Sequence, residues 1–162
     1  FWDAVAALQI PVFWVFLGDS PVGGFKEEMG LFRKWLERYP HIPSVLVHGL
    51  PTALFADAQD RIIIPDYMLE ILRDYPVYSE VLYPIGWGGK SEYPYTRAQN
   101  HIRALYEQLG PDYLIWGSDM PNVERYCTYR QSLSYIEHCD FLGPDDRRKI
   151  LGATMRALCG QT

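Results

Sequence analysis

The chain has 162 residues, 48% of them hydrophobic and 22% charged, which suits one globular domain, 1–162, with a substantial core. Its formal net charge is −5 and it contains no basic run, which argues against a nucleic-acid-binding face. No apolar stretch approaches the roughly 20 residues that a bilayer crossing needs, and Cys127, Cys139 and Cys159 show no CxxC spacing. These features lead us to expect no membrane partner, no disulfide scaffold and a cytoplasmic setting. The opening Phe1-Trp2 has neither an initiating Met nor the pattern of a signal peptide, so upstream sequence is expected to have been removed. The aromatic share of 15% predicts a bulky core and admits a homo-oligomer surface; an aromatic-walled pocket is the sharper alternative.

In chain order, the sequence alternates short apolar runs with segments of helical period. The run IPVFWVF at 10–16 is followed by Met29, Phe32, Leu36 and Tyr39, whose spacing predicts an amphipathic helix over 25–39. A second run, SVLVH at 44–48, precedes helical segments over 52–57 and 65–74. A third run covers 77–83, and after a long loop the face of Ala98, Ile102, Leu105 and Leu109 predicts a helix over 95–109, stopped by Gly110-Pro111. The fourth run, YLIW at 113–116, leads directly into GSDMP at 117–121. Two further helices are predicted over 129–138 and 145–159, the second with Asp145 and Asp146 in its first turn. Near-continuous apolar strands separated by helices predict a parallel sheet buried under helices. A barrel and an open doubly wound sheet both satisfy this pattern.

In either architecture, functional groups collect where parallel strands end. His48 closes the second run, Asp119 follows the fourth, and Glu80 lies within the third. An imidazole and a carboxylate at nearby strand ends can share a divalent metal or move a proton together. Each also has a plainer explanation. A strand-end histidine can be a hydrogen-bonded core residue, Asp in a Gly-Ser-Asp turn can cap the backbone, and Glu80 is expected to pair with an Arg or Lys. His41, in a Pro-flanked turn, and His101 and His138, at exposed-looking helix positions, are expected to be structural or solvent-facing.

The string YLIWGSDMP at 113–121 resembles the last-strand motif of the amidohydrolase superfamily, most closely the amidohydrolase-2 branch of aromatic-acid decarboxylases and lactonases. YPY at 93–95, GPDY at 110–113 and the closing DDRRKILG at 145–152 agree with it, and SVLVHG at 44–49 and IPVFWVF at 10–16 are similar to the sixth and fifth strands. The resemblance implies an α/β (β/α)8 TIM barrel of which this chain supplies about the last four β/α units, strands five to eight. It implies a metal-dependent hydrolase or carboxy-lyase acting on a small carboxylated substrate, with the fragment alone inactive. Asp119 would be the metal-binding aspartate, His48 the sixth-strand histidine, and Trp14 and Trp87 would line the substrate pocket. The cofactor implied is a divalent ion, zinc first. Three departures stand out: no first-strand His-x-His, Trp14-Val15-Phe16 where a fifth-strand ligand histidine is expected, and Ala153 where the closing helix usually carries Asn. The missing fifth-strand ligand supports an alternative reading, a barrel that has lost its chemistry and acts as a binding or scaffold protein.

Overall fold

A computed structural model describes residues 1–16, 23–82 and 92–160. Its centre is a sheet of four parallel strands in sequential order: β1 (Val12–Val15), β2 (Ser44–Val47), β3 (Val77–Val81) and β4 (Leu114–Trp116). Around the strands, in chain order, lie α1 (Trp2–Leu8), α2 (Phe25–Arg38), α3 (Thr52–Phe55), α4 (Asp66–Asp74), α5 (Thr96–Leu109), α6 (Tyr129–Glu137), α7 (Pro144–Arg148) and α8 (Thr154–Leu158). A doubly wound sheet reverses its strand order at a switch point. An order that simply follows the chain is instead that of one arc of a singly wound sheet.

Alternation along the strands assigns the two faces. Val77, Ser79 and Val81 of β3 are buried while Tyr78 and Glu80 are only partly so. Leu46, Val77, Val81 and Leu114 join one cluster with Phe32 and Leu36 of α2, Met68 and Leu72 of α4, Ile102 and Leu105 of α5, and Ile136 of α6. This is the helix-covered face. The opposite face carries Phe13 and Val15, each 53% exposed, and β1 and β4 have no further strand beyond them among the described residues.

The same alternation turns Trp14 away from the open face. Its indole Nε1 donates to the Ser44 hydroxyl at 3.2 Å, and its ring packs against Trp2, Phe32 and Trp35 at centroid distances of 5.3, 5.2 and 4.8 Å. Helix α1, absent from the expected elements, is tied to α2 by Asp3, which accepts from the Tyr39 hydroxyl at 2.7 Å and pairs with Arg38 at 3.2 Å. The helix expected over 145–159 is broken into α7, a π-type turn at Lys149–Ala153, and α8, because Gly152 adopts φ 151°. Helix α6 begins with a reciprocal Thr128–Gln131 capping box. Its Tyr135 hydroxyl donates to the Leu82 carbonyl and so ties α6 to the end of β3.

His101 corrects its expected exposure: it is buried, 2% exposed, on the inner face of α5. Its Nδ1 lies 3.3 Å from the Thr52 hydroxyl and its Nε2 3.5 Å from Asp60. Asp60 also accepts twice from Arg97, both at 2.7 Å. These bonds, the Arg97 pair first, hold the Asp60 carboxyl down at about 2. A carboxyl with a lowered folded-state pKa stabilises the fold above its ordinary value near 3.8 and loses that contribution as pH falls toward 2. We expect acid titration of stability to show a loss between about pH 4 and pH 2, and Asp60→Asn to remove that part of the transition; urea denaturation across the range checks it.

Candidate active site at the strand ends

Each site residue stands just past a strand. His48 follows β2 and Asp119 lies beyond β4, and both have left-handed backbone, φ 67° and 52°. That conformation costs a non-glycine residue about 1 kcal/mol or more, so local bonds must hold it. At Asp119, the backbone carbonyl accepts from the Val123 N–H at 3.2 Å and Oδ1 accepts from Asn122 Nδ2 at 3.2 Å. At His48, the backbone N–H donates to Glu80 Oε2 at 2.8 Å. The chain then turns at Gly49, φ 74°, whose N–H donates to the Leu46 carbonyl at 3.1 Å.

With both backbones so held, His48 Nε2 lies 3.9 Å from Asp119 Oδ1, the imidazole 46% exposed and the carboxylate 17%. They line a cavity of about 480 Å³ together with Phe16, Leu50, Thr52, Leu82, Asn122 and Arg125. The walls are thus apolar on the β1–β3 side, with polar and cationic groups supplied by the 3₁₀ turn Asn122–Arg125 after β4. An imidazole and a carboxylate at this distance, opening onto one cavity, can exchange a proton with a bound molecule or donate together to a cation.

Glu80 corrects its expectation as well. Among the described residues it accepts the His48 amide rather than an Arg or Lys. Burial pushes its carboxyl above the usual range; the His48 amide and imidazole oppose that, and the Asp119 charge adds to it. The carboxyl is not on the cavity lining but beneath it. Trp14 does not line this cavity either; it faces the α1–α2 layer for the reason of strand alternation given above, and the aromatic contributed from the end of β1 is Phe16. Trp87 lies outside the described residues. His41 and His138 are exposed, the latter with its Nδ1 2.6 Å from the Tyr93 hydroxyl.

Sequence reasoning missed Asn122, Arg125 and Thr52. The signal for the first two was the turn-forming Met120-Pro121-Asn122 directly after the motif; for Thr52 there was none beyond proximity to His48.

Glycine geometry gives a sharp contrast. A Cβ on Gly49 would stand 2.1 Å from the Glu80 carbonyl oxygen, whereas one on Gly30, in α2, would meet nothing within 4 Å. We expect Gly49→Ala to destabilise by about 1–3 kcal/mol or more and Gly30→Ala to stabilise by about 0.5–1 kcal/mol, both read as shifts in denaturant midpoint.

Comparison with known proteins bears on the family and the fold. The amidohydrolase family model matches residues 1–159. Among solved structures, an amidohydrolase from Burkholderia multivorans with bound zinc is 19% identical at TM-score 0.68, covering 99% of this chain and 57% of its own. A dihydroxybenzoic acid decarboxylase from a Polaromonas species, with bound manganese and the inhibitor 2-nitroresorcinol, is 14% identical at TM-score 0.56, covering 97% of this chain and 52% of its own. The chain therefore spans a little over half the length of these structures. The sequence has no significant match among curated proteins.

Proposed function

Because this chain belongs to the amidohydrolase family, in its amidohydrolase-2 branch, we propose that it supplies strands five to eight of an eight-stranded barrel enzyme, one that hydrolyses or non-oxidatively decarboxylates a small carboxylated substrate. The observation that carries this reading is the His48–Asp119 pair, 3.9 Å apart on the wall of one cavity. The sequential, all-parallel strand order supports the barrel.

The donor chemistry fits a divalent ion in kind, with an imidazole nitrogen beside a carboxylate oxygen that Asn122 orients. A catalytic zinc takes three protein ligands as a rule, and no group of three or more His, Cys, Asp or Glu able to hold a metal occurs among the described residues. His48 and Asp119 would thus be two donors of a larger set. When bound, such an ion polarises a substrate oxygen or acidifies water. Zinc and manganese occur in the two structures compared above, which favours a divalent ion without choosing between them.

This chain's residues have further tasks in that chemistry. The Asp119 carboxylate accepts a proton from water or returns one to the carbon that loses its carboxyl group. Where the His48 imidazole is not itself a ligand of the ion, its Nε2 hydrogen-bonds the substrate oxygen on which charge develops. Arg125, on the rim, offers a cation to a substrate carboxylate. Phe16, Leu50 and Leu82 exclude water from the reacting groups.

One observation favours a second reading, a binding protein without turnover: the end of β1 offers only Trp14, Val15 and Phe16, none able to ligate a metal. Elemental analysis of the full-length protein separates the two. Stoichiometric zinc, manganese or iron, with turnover of aromatic carboxylic acids or lactones, is the expected result. Asp119→Ala should then lower kcat by about 10²- to 10⁴-fold. Unchanged turnover in that variant refutes the role given to Asp119, and metal-free protein without turnover favours the binding reading.

A further inference from the structure

Beneath the cavity, the Glu80 side chain occupies the space between the ends of two strands that are not neighbours. One carboxylate oxygen, Oε2, accepts the His48 amide of β2's end at 2.8 Å. The other, Oε1, fills the place of a missing side chain on β4's end: a Cβ on Gly117 would stand 1.8 Å from it. The carbonyl of the same residue lies where a Cβ on Gly49 would stand, at 2.1 Å. Two glycines, one after each site strand, therefore leave room for a single glutamate. Among the described residues no cation is paired with that carboxylate, and its hydrogen bond is to the His48 amide. A partly buried carboxylate held without a cation costs desolvation that a purely structural position could avoid with an apolar residue.

We propose that Glu80 is the positioning residue of the His48–Asp119 site. Its carboxylate holds the His48 amide, keeps the residue in its left-handed conformation and so sets the direction from which the imidazole faces Asp119. The role follows from geometry. At φ 67° the His48 backbone is in a region that a β-strand continuation would not adopt. The amide at that turn is the group Glu80 captures. Release it, and His48 can relax toward extended backbone, which swings the imidazole away from Asp119. Because Glu80 is not on the cavity lining, it acts through His48 and not on a bound molecule. The inference rests on the reading above that His48 and Asp119 work as a pair.

The test uses the full-length protein with ¹⁵N label and two near-isosteric variants. Glu80→Gln keeps an oxygen acceptor for the His48 amide; Glu80→Met fills the space without one. The first readout is hydrogen exchange of the His48 amide, and the second is affinity for added Zn²⁺ alone, by titration calorimetry. In Glu80→Met we expect His48 exchange to be about tenfold faster and Zn²⁺ binding to weaken by about 10- to 100-fold. Glu80→Gln should bring both within about threefold of the parent protein. Unchanged His48 exchange in Glu80→Met overturns the proposal, and so does a Glu80→Gln variant as impaired as Glu80→Met. Should Glu80→Met not fold, Glu80→Gln decides alone: parental exchange and Zn²⁺ affinity uphold the acceptor role, and a tenfold loss of either overturns it. If the parent protein binds no Zn²⁺, the metal reading of the site fails, while the exchange of the His48 amide still decides the role of Glu80.

Discussion

Parallel register is the constraint on which the site depends. Leu46 pairs with Ser79, and Ser79 with Leu114, so β2, β3 and β4 end side by side with their last residues near one level. Hydrogen bonds between parallel strands leave no freedom to slide by one residue without exchanging the two faces of the sheet. Once Val77, Ser79 and Val81 are committed to the helix-covered face, Glu80 must point to the other one, between the chain ends that carry His48 and Asp119. The helices thus determine part of the site indirectly: the apolar faces of α2, α4, α5 and α6 select which strand residues they bury, and Glu80 falls on the remaining parity.

Register alone does not bring His48 and Asp119 together, since each lies past the end of its strand. Both residues leave the strand by a left-handed turn, and the polar groups around them read as the counterweight to that cost. Asn122 and the Val123 amide hold Asp119; Glu80 holds the His48 amide. Each bond is worth of order 1 kcal/mol net, somewhat more where a charged oxygen accepts, which is the same order as the conformational cost. Strain compensated by specific polar contacts at strand ends is common where geometry matters more than stability.

Much of the fold was legible in the sequence because its signals are local. The period of Met29, Phe32 and Leu36 is that of a helix whatever it packs on, and the four apolar runs became the four strands with ends trimmed by one to three residues. The break in the closing helix was marked by Gly152, whose positive φ no periodicity argument includes. Site residues divided along the same line. His48 and Asp119 could be singled out because position at a strand end is a property of the sequence. Glu80 could not be ranked above an ordinary surface carboxylate, because its partner is a backbone amide thirty-two residues away. Trp14 shows a related limit: nearness to a strand end does not say how far along the strand the cavity begins, and Trp14 packs against Trp2 and Trp35 while Phe16, two residues on and of the same parity, reaches the cavity.

The open face of the sheet gives the last step. Phe13 and Val15 point from β1 to the side on which Glu80 lies, yet both remain half exposed, as an apolar strand face seldom does once covered. On that side the described residues build one wall of a cavity that carries His48 and Asp119, with a cation and an apolar lining on the rim. A catalytic zinc needs at least one donor more, and an apolar strand face needs a cover. Both shortfalls lie on the same side of the sheet. A single structural unit packed against β1 and β4 would meet both, burying Phe13 and Val15 as it brought its own ligands to His48 and Asp119. In that arrangement the absence of a histidine near Val15 matters less than it does in sequence, because the ligand count is set by whichever strands enclose the mouth and not by β1 alone.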